Sequence, residues 1–283
     1  MVFELPKIMI VDDVKRALLE DLGRAGDLST QSTIEVGKVA EAHLIAREHG
    51  TVSGLQHASC SFELVDDGIL FRPHLADGSV VQPGDVVATV SGNARSILSA
   101  ERTALNFLCH LSGIASITAK FVEQVKHTRA RICCTRKTIP GLRASQKYAV
   151  RCGGGSNHRF GLDDAILIKD NHIAVAGSVT AAFRSAQKFA GHLVKIEIEV
   201  DTLDQLEEAL DAGSQCVLLD NFSVDALKEA VILNDGRAVL EASGGVRLET
   251  AKGISEAGVD YISSSQITMS ATTFDIGLDI AVE

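Results

Sequence analysis

The stretch KIEIEVDTLDQLEEALDAGSQCVLLDNFSVDALKEAVILNDGRAVLEAS (Lys195–Ser243) decides the fold. Three short apolar runs, KIEIEV (195–200), CVLLD (216–220) and AVLEAS (238–243), are separated by two amphipathic segments, Leu203–Ala212 and Val224–Leu233. The runs have strand length and the segments have helical apolar spacing. Run-to-run spacing is about 20 to 25 residues, the length of one strand–helix unit. The same rhythm extends outward to RICCT (131–135), AILIKD (165–170) and YISSS (261–265), with further helices at Val179–Ala190 and Leu248–Ala257. Repeated strand-then-helix units imply a parallel sheet. No dinucleotide-type glycine fingerprint accompanies them, which favours a closed or nearly closed barrel over an open sheet.

The chain changes character near residue 113. Before it, Val11–Gly23 reads as a helix, and Ala40–Ala46 and Gly68–His74 read as strands. DGSVVQPGDVVATVSG (Asp77–Gly92) alternates around Pro83-Gly84 and predicts a hairpin. Ser96–Leu111 predicts a long helix, with Leu98, Leu105, Leu108 and Leu111 at helical spacing.

Composition bounds the function. The chain has 283 residues, 46% hydrophobic and 23% charged, enough for one large domain or two smaller ones. Its formal net charge of −10 argues against a general nucleic-acid or anionic-membrane binder, so any anion site must be a local cationic pocket. The six cysteines have no CxxC pairing or zinc spacing and read as buried, reduced thiols. MVFELPKIMIVDD is too short and charged for a signal peptide, and no apolar run approaches the roughly 20 residues of a spanning helix. The expectation is a soluble cytoplasmic protein with neither nucleic-acid nor membrane partners.

What ends each apolar run carries the chemistry. The ends are Thr135-Arg136-Lys137, Lys169-Asp170, Glu197 and Glu199, Asp220-Asn221, Ser243-Gly244-Gly245 and Ser263-Ser264-Ser265. Any one alone reads equally well as a solvated loop. Six in succession mark one mouth, and in a strand–helix barrel that mouth holds the active site. Glycine and serine loops after the last two strands suit a phosphate. Glu199 and Asp220 suit Mg²⁺ beside a phosphate, or a developing positive charge. The alternative for them is a structural ion pair with Lys169 or Lys137. RCGGGSNHRFG (Arg151–Gly161) reads as a loop that cannot build a core, with glycines permitting close approach to a ligand. Arg136, Lys137, His158, Arg159 and Lys169 then converge on one pocket. Several cations together require an anion, and the mixture of Arg and Lys suits carboxylate and phosphate at once.

With those residues in view, TRKTIPGLRASQKYAVRCGGGSNHRFGLDDAILIKDNH (Thr135–His172) resembles the signature of the quinolinate phosphoribosyltransferase family, the nicotinate-nucleotide pyrophosphorylases (carboxylating). The similarity continues in ERTALNFLCHLSGIAS (Glu101–Ser116), IEIEV with Asp220-Asn221, LEASGGV (Leu240–Val246) and EDLGRAGDLST (Glu20–Thr30). The resemblance implies a smaller N-terminal α/β sandwich domain and an incomplete, TIM-like α/β barrel, in an obligate homodimer. The expected division is 1–113, joined by the C-terminal segment 273–283, and 114–272 for the barrel. It implies that quinolinate and phosphoribosyl pyrophosphate give nicotinate mononucleotide, pyrophosphate and CO₂, with Mg²⁺, in NAD biosynthesis. By motif, Arg136, His158, Arg159 and Lys169 hold quinolinate, with Arg102 arriving from the partner subunit. Lys137, Glu199 and Asp220 serve the pyrophosphate, the metal and the ribose. Ser243, Gly244, Gly245, Ser264, Ser265 and Gln266 hold the 5-phosphate, and Thr135 joins the substrate set. Lys137, Lys169, Glu199 and Asp220 are the catalytic candidates. SSSQITMS departs from the family pattern. Many members have a glycine and a histidine where this chain has Ser265 and Met269.

Overall fold

The computed structural model describes residues 5–281. Residues 1–4 of the charged N-terminal stretch and 282–283 of the C-terminal segment lie outside the described residues. In chain order the elements are α1 (Val11–Leu22), α2 (Leu28–Thr33), β1 (Val39–Ala46), β2 (Gly50–Thr51), α3 (Leu55–Val65), β3 (Leu70–Pro73), β4 (Val80–Val81), β5 (Val86–Asn93) and α4 (Ala94–Val125). There follow β6 (Arg131–Cys133), α5 (Arg143–Cys152), β7 (Ile166–Ile168), α6 (Asp170–Ala176), α7 (Val179–Phe189), β8 (Ile196–Val200) and α8 (Leu203–Asp211). The chain finishes with β9 (Cys216–Asp220), α9 (Val224–Asn234), β10 (Val239–Ser243), α10 (Leu248–Glu256), β11 (Tyr261–Ser263), α11 (Gln266–Met269) and β12 (Ile276–Ala281). These form two compact units. Among the described residues, the first contains 5–119, 139–154 and 271–281; the second contains 120–138 and 155–270.

The first unit is built on an antiparallel sheet in the order β12-β1-β5-β3. Alternating burial along β1 sends Ala42, Leu44 and Ala46 into a core shared with Phe62, Val90, Ile97 and Leu108. The predicted hairpin at Asp77–Gly92 does not form. β4 pairs instead with β2, Gly50 opposite Val81, while β5 turns away to pair with β1 and β3. Alternation was read correctly, but the turn at Gln82–Asp85, closed by Asp85 N–H to the Gln82 carbonyl (3.1 Å), leads the chain to distant partners. The helix predicted over Ser96–Leu111 is a single element of 32 residues that continues through the expected boundary at 113. Gly113 sits within it because a Cβ there would meet the Thr272 carbonyl oxygen at 2.1 Å. α4 is also long and apolar enough to cross a membrane by length and composition, which corrects the expectation from sequence. Here its apolar residues Ile97, Leu105, Leu108, Leu111 and Ile114 are buried in protein.

Residues 139–154, which the sequence division gives to the barrel, cluster with the first unit. Polar bonds explain this. Tyr148 donates to Asp77 (2.9 Å), Ser145 Oγ meets His57 Nε2 (2.8 Å) and Gln146 Nε2 donates to His110 Nε2 (2.9 Å). The Arg151–Gly161 stretch is therefore not loop throughout. Arg151 and Cys152 close α5, and Cys152 is buried.

The second unit is a six-stranded parallel sheet in the order β6-β11-β10-β9-β8-β7. Its end strands, β6 and β7, do not pair with each other among the described residues, so this is an incomplete barrel. The strand–helix units follow from local chemistry. Ser178, Thr202 and Ser223 accept bonds from the main-chain N–H groups of Ala181, Gln205 and Ala226, capping α7, α8 and α9. Each such cap contributes about 1 kcal/mol. Period-two alternation then divides the strands. Ile198, Val217 and Leu219 are fully buried, while Glu199, Leu218 and Glu241 stand in one row by register.

Candidate active site

The strand ends of the second unit bring ten of the candidate residues around one cavity of about 390 Å³: Thr135, Arg136, Lys137, His158, Arg159, Lys169, Glu199, Asp220, Ser243 and Gly244. Leu167, Leu218, Glu241 and Ser263 complete its lining. A second cavity of about 430 Å³ shares Thr135, Lys137, Ser243, Gly244 and Ser263 and adds Gly245, Ser264, Ser265 and Gln266. Lys137 thus faces both spaces. Arg102 is the exception: it is exposed on α4, in the other unit, and lines neither cavity.

Each cation is placed by its local backbone. After β6, the Thr135 hydroxyl accepts the Lys137 N–H (3.0 Å), and Thr268 Oγ1 donates to the Lys137 carbonyl (2.7 Å). These bonds fix the turn carrying Arg136 and Lys137. The 155–159 segment runs beside β6, with Ser156 N–H donating to Ile132 O (2.8 Å) and the Ser156 carbonyl accepting in return from Cys134 N–H (3.1 Å). That contact delivers His158 and Arg159. Arg159 donates from Nη1 to the Ala165 carbonyl (2.9 Å). Burial and then the neighbouring Arg136 charge hold its acidity above that of an ordinary guanidinium, lowering its pKa. Two guanidiniums held together in a cavity create a place for an anion.

The carboxylates divide. Glu199 is buried and its Oε2 accepts from Lys169 Nζ, the ion pair that the sequence offered as the alternative reading. Lys169 retains further N–H donors for a ligand. Asp220 Oδ2 accepts from Asn221 Nδ2 (2.7 Å). Burial first, and the Asp201 charge second, raise the Asp220 pKa, while Lys169 and Lys137 oppose the rise. Asp220 is thus a partly desolvated carboxylate beside two ammonium groups.

The second cavity has the features of an anion cradle. Gly244 and Gly245 adopt φ of +85° and +59°, which favour glycine, and a Cβ on Gly244 would meet Asn221 Oδ1 at 2.2 Å. Successive main-chain N–H groups in such a turn, ahead of the N-terminus of α10, suit phosphate oxygens. The serines differ in use. Ser263 Oγ donates to Ser243 Oγ (2.9 Å). Ser264 Oγ donates to Val246 O (2.9 Å) and accepts from Gln266 N–H (3.2 Å), so its hydroxyl braces the loop. Ser265 makes no side-chain cap bond to α11, and Met269 is exposed. Sequence reasoning missed Arg247 and Glu249, which line this cavity at the start of α10, and Leu167, Leu218 and Glu241 in the first. The latter three each lie two residues before a candidate that was found, so period-two alternation was the available signal.

His158 has less freedom than a binding cation needs. Nε2 lies 2.9 Å from Glu197 Oε2, and Nδ1 accepts the Arg159 N–H at 2.9 Å.

Comparison with known proteins agrees with this geometry. Residues 27–112 match the quinolinate phosphoribosyl transferase N-terminal domain and residues 114–279 match the C-terminal domain of the same family. The nicotinate-nucleotide pyrophosphorylase [carboxylating] of Mycobacterium leprae is 45% identical over 274 residues, covering 95% of this chain and 96% of that protein. A probable nicotinate-nucleotide pyrophosphorylase [carboxylating] of Bacillus subtilis is 42% identical over 264 residues, covering 93% of this chain and 91% of that protein. The crystal structure of NadC from Streptococcus pyogenes superposes with a TM-score of 0.94 at 41% identity, covering 99% of this chain and all of the other. With both domains matched, the fold shared along its length and a cationic cavity at the barrel mouth, the chain belongs to the quinolinate phosphoribosyltransferase family.

Proposed function

We propose that this enzyme transfers a phosphoribosyl group to quinolinate, using phosphoribosyl pyrophosphate and releasing nicotinate mononucleotide, pyrophosphate and CO₂ in NAD biosynthesis. One observation carries the reading beside family membership. A cavity with paired guanidiniums, Arg136 and Arg159, opens onto a glycine–serine cradle, and Lys137 serves both. Quinolinate brings two ring carboxylates, and the cosubstrate brings a 5-phosphate and a pyrophosphate. Arg136 and Arg159 face the carboxylates, Gly244 and Gly245 the 5-phosphate, and Lys137 the pyrophosphate.

The chemistry needs placement of charge more than a covalent partner. The bond from ribose C1 to pyrophosphate lengthens, and its electron pair leaves with pyrophosphate. Glu199 and Asp220 stabilise the positive charge developing on the ribose. The pyridine nitrogen then bonds to C1 and becomes cationic. That charge lets the ring accept the electron pair left when the C2 carboxylate departs as CO₂, and a proton replaces it. Holding the two substrates together supplies most of the acceleration.

Asp220 is the place for Mg²⁺. Its half-buried carboxylate carries no ion pair among the described residues, and burial and Asp201 make its charge costly, which a cation relieves. Glu199, bonded to Lys169, stands as the second ligand candidate. When bound, the metal neutralises charge on the pyrophosphate. The working form in this reading is a cytoplasmic homodimer in which Arg102 of one subunit completes the site of the other. The cytoplasmic placement is supported by an acidic chain whose six cysteines are thiols.

The test is release of labelled CO₂ from quinolinate carrying label in the C2 carboxylate. Release that requires both phosphoribosyl pyrophosphate and Mg²⁺ is expected. Nucleotide formation from nicotinate at an equal or higher rate overturns the assignment of the dicarboxylate.

A further inference from the structure

Two buried carboxyls lie in the barrel lining with no part in the reaction above. Glu197 is two residues before Glu199 on β8, and Glu241 is two residues before Ser243 on β10. Both approach one imidazole. His158 Nε2 lies 2.9 Å from Glu197 Oε2 and 3.7 Å from Glu241 Oε1. Such residues in place of the aliphatic side chains that usually fill a barrel carry a desolvation cost. Their arrangement indicates what they do.

The tautomer of His158 follows from its partners. A main-chain N–H only donates, so Nδ1, facing the Arg159 N–H at 2.9 Å, carries no proton. The ring proton is therefore on Nε2 and is donated to Glu197. The same logic bears on a metal. One donor atom from each of His158, Glu197 and Glu241 lies within 4.8 Å of the others, a set that suits a divalent cation. A neutral imidazole ligating through Nε2 needs its proton on Nδ1, where it would meet the Arg159 N–H head-on. The geometry suits a proton and not an ion.

Arg159 is what this fixes. Its main-chain N–H is held by His158 Nδ1, and its guanidinium Nη1 by the Ala165 carbonyl. Together they anchor the residue whose charge lines the cavity beside the repelling Arg136. We propose that Glu197 is a positioning residue for substrate binding: by accepting the Nε2 proton it locks His158 in one tautomer, and His158 in turn holds Arg159 against the ring carboxylate. His158 then acts on the dicarboxylate through Arg159 and not as a cation. The inference rests on the quinolinate reading above. Glu241 supports it from behind. Burial and the Glu197 charge push its pKa up to about 7, so that Glu241 brings less than a full charge to the imidazole at neutral pH.

The experiment compares Glu197→Ala, which removes the acceptor, with Glu197→Gln, whose amide oxygen still accepts from Nε2. In Glu197→Ala the KM for quinolinate is expected to rise at least about tenfold, with a smaller change in kcat and the KM for phosphoribosyl pyrophosphate nearly unchanged. Glu197→Gln should recover most of the loss. Equal rises in both KM values, or a glutamine variant as weak as the alanine one, overturn the proposal. A readout independent of variants is the ¹⁵N spectrum of the histidines in the unaltered protein, with the His158 signals assigned by their loss in His158→Gln. The Nε2–H tautomer at neutral pH is expected, and an imidazolium or an Nδ1–H form overturns it. The unaltered enzyme's rate with quinolinate tests the underlying reading separately. If that rate is absent while the tautomer is as expected, the substrate assignment has failed and the positioning geometry stands.

Discussion

Arg136 and Lys137 are neighbours in sequence but not in use. Arg136 lines only the cavity with Arg159, whereas Lys137 also lines the glycine–serine cradle. Arg136→Ala is therefore expected to weaken quinolinate, and Lys137→Ala the phosphorylated cosubstrate. A charged hydrogen bond contributes roughly 1.5–3 kcal/mol, so each loss should be about ten- to a hundredfold or more. Titration calorimetry of both variants with both ligands checks this, and equal weakening of the same ligand refutes it. At this scale the sequence was informative wherever a charge ended an apolar run. Charge type and position are written in the sequence, so Arg136, Lys137, Lys169, Glu199 and Asp220, which line one cavity, were legible as candidates. Hydrogen-bond commitment is not written there. That Ser264 braces its own loop, that Glu199 is bonded to Lys169 and that both nitrogens of His158 are engaged depend on distances only the fold sets.

Elements of the second unit were legible because each strand–helix unit is local. A capped helix follows its strand within a few residues, and the pattern repeats. The first unit was less legible because its partners are remote in sequence: β4 finds β2, β12 finds β1, and α5, which follows β6, reaches back along the chain to bond His57, Asp77 and His110. The α5 contact has a titration consequence. His57 is fully buried, bonded through Nε2 to Ser145 and packed against the Phe107 ring at 5.3 Å. Burial lowers its pKa to about 4. The unfolded chain takes up this proton near pH 6.5 and the folded chain only near 4, so the stabilisation is complete above pH 6.5 and is lost as pH falls from there to 4. The loss attributable to His57 is about 3 kcal/mol. His110, also lowered by burial, adds to the same slope. Denaturant melts of His57→Gln should show a shallower fall in stability than the unaltered protein across that window. Parallel pH profiles would mean that His57 is not the group responsible.

At the scale of the whole molecule, Arg102 is the site candidate that lines neither cavity. The Lys and Arg residues lining one chain's cavity are Arg136, Lys137, Arg159 and Lys169, and Lys169 is bonded to Glu199. Arg102 is exposed on the same helix whose Ala104, Leu105 and Leu108 are buried, so it stands at the edge of the apolar stripe. Its neighbour Glu101 has its pKa raised by burial, with Arg102 opposing the rise, so the arginine's charge is felt locally without being neutralised by an ion pair among the described residues. An arginine in that setting is either a side chain laid along the surface or a cation aimed at a pocket. If it serves the cavity of a partner subunit, dimerisation completes the anion site and shields it from water, which strengthens every charged contact there. Subunit mixing separates the two. Arg102→Ala and Lys137→Ala homodimers should each be nearly inactive. Refolded together, they should form heterodimers in which one barrel has its own Lys137 from the Arg102→Ala chain and receives Arg102 from the Lys137→Ala chain. One of the two sites in each heterodimer is then intact, and a random mixture should recover about a quarter of the full activity, since half the dimers carry one good site of two. Heterodimers that form, as shown by native mass spectrometry, but recover no activity would mean that Arg102 acts on its own barrel.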